Sequence, residues 1–377
     1  MNFTTQVTCR LCDGALASVV NLGKLALTSY FPWPNEKAPR IPLTVMVCES
    51  CGLLQLGENT KPELMYRSGY GYKSGINETM AKHLAGIVSV GAKYVSRGDN
   101  ILDIGCNDGT LLKAWLPYTV HRFGIDPIGQ NVDGCAIDRT FFAAHGRKYK
   151  VITSIAMFYD VPDPVGFAKD IEKSLAHNGV WLLEVGYAGA IQQGYWDGIC
   201  HEHLTYYSMR QIDLIAKKAD MNVLEYGLNP VNGGSLFCVI GKGKRTDIDM
   251  MIRAESEWQW HDLPKKIKKS CAAITDAVNG YRTHVLGAST KGNTLLQVCG
   301  LTHGQIEAAV ERNPDKVGRL TPGSNIPIQS ERWADENPPE RMLVLPYHFK
   351  EQLLRRYSDL RERGVKFIFP LPVPEIV

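Results

Sequence analysis

The stretch Asn100–Leu112, NILDIGCNDGTLL, narrows the possible folds more than any other part of the chain. Ile101, Leu102 and Ile104 form an apolar run the length of a buried strand, Gly105 and Gly109 bracket a turn, and Leu111 and Leu112 open an apolar helix face. A strand, a glycine turn and a helix in direct succession begin a strand–helix–strand unit, whose ligands lie beyond the carboxyl ends of the strands. The next apolar stretch, HRFGIDP, puts Asp126 at its tip about 20 residues after Gly105, the separation of one such unit. Further strands are expected in KVITSIAMFYD, 150–160, and GVWLLEVG, 179–186. Between them FAKDIEKSLAHNG reads as a helix capped by Gly179. This rhythm predicts a doubly wound α/β sheet, with Asp103, Asp126, Asp160 and Glu184 at or near strand ends.

The turn itself is DxGCxxG. An acid precedes the first glycine, and no third glycine lets the backbone approach a pyrophosphate. One reading is a nucleotide-binding unit of another kind. The other is a cofactor without phosphates but with a charged amino-acid tail, which describes S-adenosylmethionine. Its contacts would come from Gly105, Cys106, Asn107 and Gly109 in the turn and from Asp126 and Pro127 at the second strand tip. Asp103 would meet the ammonium group through water or backbone. Asp126, an acceptor-only group when ionised, suits the two ribose hydroxyls.

Ten cysteines are present. Four form two close pairs, Cys9 and Cys12 in CRLC and Cys48 and Cys51 in CESC, and the other six are scattered singly. Two such pairs complete a tetrahedral sulfur shell for Zn²⁺, and four thiolates leave no open position, so the ion is read as structural. The insert between the pairs, with ALTSYFPWP and APRIPL, is loop-rich and would form a poor core without a metal cross-link. The starting stretch MNFTTQVTCRLC lacks a basic start followed by an apolar stretch, and no apolar run reaches the ~18–20 residues of a membrane span. These features place the expected protein in the cytoplasm with reduced thiols. A balance of 42 basic against 39 acidic residues, net +3, argues against a nucleic-acid partner. A chain of 377 residues needs two or three domains. The expected division is a zinc-binding domain at 1–62, a cofactor domain at 63–242 and a second α/β unit at 243–377.

CHEHLTYY, Cys200–Tyr207, follows the GVWLLEVG strand by a loop and so lies over the cofactor end of the sheet. His201 and His203 are two apart, which suits one face of an extended segment. The pair has three readings: metal ligands, a structural pair satisfied by the core, or proton transfer, since imidazole titrates near neutrality. A base beside S-adenosylmethionine points to carbon methylation, because carbon becomes nucleophilic only after a C–H next to a ketone gives up its proton. Tyr66, Tyr70 and Tyr72 sit in a Gly-rich segment before a helix whose face carries Met80, Leu84 and Ile87; they either cover a pocket or pack.

In the last third, Asp247–Ala277 is charged and helical, with KKIKK at Lys265–Lys269 as a solvated face. THVLGASTKGNTLLQ then gives a strand, a turn with Ser289, Lys291 and Asn293, and a helix, an arrangement suited to phosphate at a helix N-terminus. Asn313, Lys316, Arg319 and Asn325 follow in a loop-rich stretch, and MLVLPYHF reads as a strand with His348 and Lys350 at its end. This unit is read as holding a nucleotide diphosphate, so that an inert part of the substrate positions the reacting carbon.

Taken in order, CxxC…CxxC, DIGCNDG, TSIAMFYDVPDP, WDGICHEHLTYYS, NGGSLFCVIG, LGASTKGNTLLQVCGL, LTPGSNIPI and VLPYHFK resemble the bacterial sugar C-methyltransferases over nearly the full length. The resemblance implies a zinc-binding front domain, a central Rossmann-like methyltransferase domain and a C-terminal Rossmann-like domain. It implies methylation, typically at C3, of a nucleotide-linked keto-deoxysugar in the synthesis of a branched sugar. His203 matches the family's base, while Glu202 and Tyr72 fall at or next to its supporting positions; His201, Glu202 or a tyrosine is expected to steady the enolate. Tyr70, Asn232, Ser289, Lys291, Asn293, Arg319 and His348 are the expected substrate contacts. Two departures stand out: Cys200 replaces a tyrosine before HEH, and Tyr159–Asp160 stand where some members carry a histidine. A monomer or weak dimer is expected. Rival readings are a sugar O-methyltransferase and a zinc-ribbon binding module with a vestigial cofactor site.

Overall fold

The computed structural model describes residues 2–66 and 73–377. Three sheets organise them, of four, seven and six strands, with a two-stranded ribbon of Phe3–Thr5 against Glu58–Thr60. In the front module β1 (Leu16–Ala26), β2 (Arg40–Cys48) and β3 (Leu54–Leu56) form an antiparallel meander. Strand β2 alternates as a half-buried strand must: Ile41, Leu43 and Val45 are fully buried. That face packs against Trp196, Ile199 and Leu204 of the middle of the chain. The fourth strand of this sheet comes from far along the sequence, with Thr205 opposite Gln55 and Tyr206 opposite Leu54.

The central sheet contains β4 (Asn100–Ile104), β5 (His121–Ile125), β6 (Cys135–Asp138), β7 (Tyr149–Ile155), β8 (Leu175–Gly186), β9 (Asn222–Asn229) and β10 (Ser235–Gly241). Their order is β9-β10-β8-β7-β4-β5-β6, with β4 to β8 parallel and β10 antiparallel to both neighbours. The chain winds outward from β4 to β6, then crosses to β7 on the other side of β4. That reversal opens a crevice at the carboxyl ends of β4 and β7. Helix α1 (Glu78–Gly91) buries Met80, Leu84 and Ile87 on one face, as their spacing predicts. Helices α2 (Thr110–Ala114), α3 (Pro164–Ser174) and α4 (Met209–Lys218) complete the cover.

One expectation fails here. Helix α3 ends at Ser174 rather than at Gly179, and Leu175 already pairs with Tyr149. Gly179 lies inside β8, where an added Cβ would come within 2.9 Å of the Ala176 carbonyl oxygen and 3.0 Å of that of Tyr149. This glycine permits close backbone approach at a strand irregularity, and the left-handed residue beside it is Asn178.

The third sheet is β13-β12-β11-β14-β15-β16, formed by β11 (Thr283–Leu286), β12 (Ala308–Glu311), β13 (Ile328–Ser330), β14 (Arg341–Val344), β15 (Lys366–Phe369) and β16 (Glu375–Ile376). All pairs are parallel except the last. A second crevice therefore opens where the winding reverses beside β11. The charged helical segment before it splits into α5 (Asp249–Ser256) and α6 (Leu263–Val278), and α7 (Thr290–Val298) follows β11. In α6, Lys265, Lys268 and Lys269 are exposed while Ile267 and Ile274 are buried, so the basic run is a solvated face. No helix among the described residues is long and apolar enough to cross a membrane.

Candidate active site

The loop after β8 is held at both ends: the Tyr187 amide donates to the Gly234 carbonyl at 3.0 Å and that of Ala188 to Tyr207 at 2.8 Å. Within it Trp196, Ile199 and Cys200 are fully buried, and the His203 amide closes a turn onto Cys200 at 3.1 Å. The three residues of HEH then diverge. His201 is buried with its Nε2 bonded to the Ile41 carbonyl, 3.0 Å away on the front sheet. Burial pushes its imidazole down to about 4. The expected catalytic part for His201 is corrected accordingly: an extended pair two apart would share a face, but the turn at Cys200–His203 rotates His201 into the front-module interface.

Glu202 and His203 both line a cavity of about 300 Å³ between the central and C-terminal sheets. His203 donates from Nδ1 to the Gly198 carbonyl at 2.8 Å, which leaves Nε2 as the basic nitrogen. Its ring lies 4.2 Å, centroid to centroid, from that of Tyr159. Burial and then the Lys291 charge push the imidazole down to about 3, so it is neutral at physiological pH. Burial pushes the Glu202 carboxyl up to about 7, against the opposing pull of Ser29 and Lys316. Asp160 faces the same cavity, accepts from the Tyr66 hydroxyl at 2.9 Å, and is raised by burial and by Glu202. Asp197 lines it too, accepting from the Tyr347 hydroxyl at 2.8 Å.

The other half of the cavity gathers most of its cations, with Glu311 beside Lys316 and Glu331 paired with Arg356. It is lined by Ser289 and Lys291 at the start of α7, by Arg312 after β12, by Lys316, by His348 after β14, and by Arg356. Ser289 caps α7, accepting from the Gly292 amide at 3.0 Å, and Lys291 donates to the Asn232 carbonyl at 2.7 Å. Burial and Lys291 push His348 down to about 3. Two expected substrate contacts lie elsewhere. Asn293 is fully buried and donates to the Thr28 carbonyl at 2.8 Å. Arg319 stacks over Trp33 and donates to the Phe31 carbonyl at 3.1 Å. Both brace the front-module loop against the C-terminal unit. It is Lys316, one turn earlier, that faces the cavity. Tyr70 and Tyr72 lie outside the described residues.

At the glycine turn, Gly105 (φ 75°), Asn107 (φ 50°) and Gly109 (φ 74°) are left-handed. Asp126 fixes the turn: its Oδ2 accepts from the Asn107 amide at 2.9 Å and its Oδ1 from the Ile128 amide at 2.8 Å. Each oxygen keeps acceptor capacity, as binding ribose hydroxyls requires. Pro127 follows it, half-buried. Asp103 is drawn inward instead, accepting from the Thr153 hydroxyl at 2.7 Å, and burial pushes it up to about 7. The Cys106 side chain is buried in the core with Leu111, Leu112 and Trp115, which leaves only its backbone for a ligand. Ser74 and Gly75 lie over the turn, their amides donating to Asn107 Oδ1 at 3.3 Å and Asp108 Oδ2 at 2.8 Å. The left-handed turn and the spare acceptor capacity of Asp126 fit an adenosyl group.

The four paired cysteines converge. Cys9 and Cys51 sulfurs are 3.6 Å apart, those of Cys12 and Cys48 3.5 Å, and all four lie within 4.8 Å of one another. A tetrahedron with Zn–S bonds of ~2.3 Å has edges of about 3.8 Å, so the set fits Zn²⁺. Asp13 and Gly52, each just after a pair, are left-handed and turn the chain back at matching points. Gln211 at the start of α4 donates to the Cys51 carbonyl at 2.9 Å, tying this site to the central unit.

Several cavity residues escaped sequence reasoning. Arg312 follows a strand directly and is accessible to a strand-end argument, as Asp160 is in the sequence reading. Asp197 and Arg356 carry no such signal, since one lies in an irregular loop and the other on a helix.

Three family models tile the chain: a zinc binding domain over 9–66, a methyltransferase domain over 76–226 and a C-methyltransferase C-terminal domain over 230–372. The C-methyltransferase NovU of Streptomyces niveus is 25% identical over 407 aligned positions, covering 98% of this chain and 96% of that protein. Among solved structures, an S-adenosylmethionine-dependent methyltransferase from Clostridium acetobutylicum is 11% identical with a TM-score of 0.35, covering 44% of this chain and 92% of its own. Another from Methanosarcina mazei is 13% identical with a TM-score of 0.34, covering 41% and 96%.

Proposed function

We propose, from the premise that this chain is an S-adenosylmethionine-dependent methyltransferase with the three-part build of the C-methyltransferases, that it methylates carbon C3 of a nucleotide-linked keto-deoxysugar. The observation that carries the reading is His203, a neutral imidazole in the cavity wall whose Nδ1 is occupied by the Gly198 carbonyl. A base for a C–H beside a ketone must be unprotonated, and a fixed tautomer aims one lone pair. S-adenosylmethionine, when bound, supplies an electrophilic methyl group.

Nε2 of His203 takes the proton alpha to the ketone, and the Gly198 carbonyl steadies the imidazolium through Nδ1–H. Glu202, half protonated near neutrality, donates a hydrogen bond where charge develops on the enolate oxygen. Ser289, Lys291, Arg312 and Arg356 hold the diphosphate, which anchors the sugar without entering the chemistry. A diphosphate beside Lys291 also offsets the charge that depresses His203, so the base strengthens when substrate arrives.

The test uses nucleotide keto-sugars with S-adenosylmethionine, read by the mass gain of one CH₂ and by NMR of the new methyl. A methyl on carbon supports the proposal, and a methoxy signal refutes it. In D₂O, His203→Asn should lose α-proton exchange as well as methyl transfer while still binding S-adenosylhomocysteine. Exchange at the wild-type rate would remove His203 from the base role.

A further inference from the structure

We propose that Cys271 and Cys299 form a reversible disulfide that braces the C-terminal unit. Cys271 lies in α6 and Cys299 caps the carboxyl end of α7. Their sulfurs are 2.6 Å apart. The metal-type pairs of the front module hold their sulfurs at 3.5 and 3.6 Å, whereas a formed S–S bond is about 2.05 Å. The two sulfurs are thus already closer than the metal-type pairs, and little sulfur movement separates dithiol from disulfide.

Both cysteines are only half-buried, so a small oxidant reaches them. Both also pack on the apolar cluster of the third sheet, which holds the two helices in register. Cys106, Cys200 and Cys238 are instead buried. The hydrogen bond to Cys271, with burial, keeps Cys299 protonated. The first oxidation falls on Cys271, the acceptor of that hydrogen bond. Hydrogen peroxide converts its thiol to a sulfenic acid with loss of water. The Cys299 sulfur then displaces the sulfenic oxygen, which leaves as a second water, and the S–S bond forms. A dithiol restores both thiols.

The experiment treats the metal-loaded full chain with hydrogen peroxide at doses that release no metal, followed by alkylation and trypsin without reduction. Peptide 270–282 should appear joined to peptide 292–312, with two fewer alkylated cysteines, and dithiothreitol should reverse both changes. Oxidised wild type should melt at a higher temperature than reduced, and Cys271→Ser should abolish the link and the shift together. Separate sulfinic acids, continued alkylation of both thiols, linkage to another cysteine, or an unchanged melting temperature would each overturn the proposal. The peptide readout on wild type stands even if the variant fails to fold.

Discussion

Gly109→Ala tests how tightly the cofactor turn is built. At φ 74° an alanine Cβ would sit 2.0 Å from Val132 Cγ2. Two costs combine: about 1–2 kcal/mol for a left-handed non-glycine residue and about 1–3 kcal/mol for forcing a methyl into packed space. The single variant should lose ~2–5 kcal/mol. Val132→Ala removes the obstructing methyls and, as a truncation of a buried side chain, should itself cost ~1–3 kcal/mol. In the double variant the steric cost disappears and the backbone cost stays. It should therefore be more stable than the sum of the singles by ~1–3 kcal/mol. Urea unfolding of the four proteins gives the cycle, and calorimetric titration with S-adenosylhomocysteine reads the turn directly. Additivity of the two changes within ~0.5 kcal/mol, the usual result for uncoupled sites, would refute the contact. A Gly109→Ala protein as stable as wild type would refute both costs.

On the proposed reading, Lys291→Met should raise KM for a nucleotide-sugar substrate by about 10–100-fold, the value of one charge-assisted hydrogen bond, with a smaller change in kcat. Chelation should release metal and activity in step, because the strand just after HEH belongs to the front sheet; a chromogenic chelator read beside an activity assay checks this, and full activity after complete metal removal would refute it. The pH dependence of folding follows from His203: its imidazole sits at about 3 in the fold against an ordinary 6.5. The unfolded chain therefore binds a proton that the fold does not, and stability drains as pH falls from 6.5 toward 3. Asp103 and Glu202, raised to about 7, act oppositely, since the fold keeps protons that the unfolded chain sheds. His203→Asn should narrow its stability gap to wild type by about 1.4 kcal/mol per pH unit below 6.5, measured by urea unfolding at each pH.

Local chemistry carried the parts of the fold that were legible beforehand. The glycine turn, the helix face of Met80, Leu84 and Ile87, and the convergence of Cys9, Cys12, Cys48 and Cys51 each rest on spacing within a short segment. The same holds for Ser289 and Lys291, neighbours on one helix start. What stayed hidden depends on distant packing. Nothing near His201 announces the Ile41 carbonyl, 160 residues earlier in the chain, that claims its ring. Asn293 and Arg319 look like ligand contacts on a polar loop, yet each answers a carbonyl of the Thr28–Phe31 segment. Gly179 misled because a glycine after a polar run reads as a helix cap, whereas here it relieves crowding inside a strand.

The late arrival of the Thr205–Tyr206 strand matters for biosynthesis. Ribosomes deliver the cysteine set and β3 long before residue 206. At about 5–20 residues per second, the outer edge of β3 waits roughly 8–30 s for its neighbour. Leu54 and Leu56, buried in the finished protein, lie on that open edge, which nascent chains can pair with wrongly. Early ion capture would tether the unfinished meander during this interval, so metal supply during translation should govern how much enzyme is recovered from a cell.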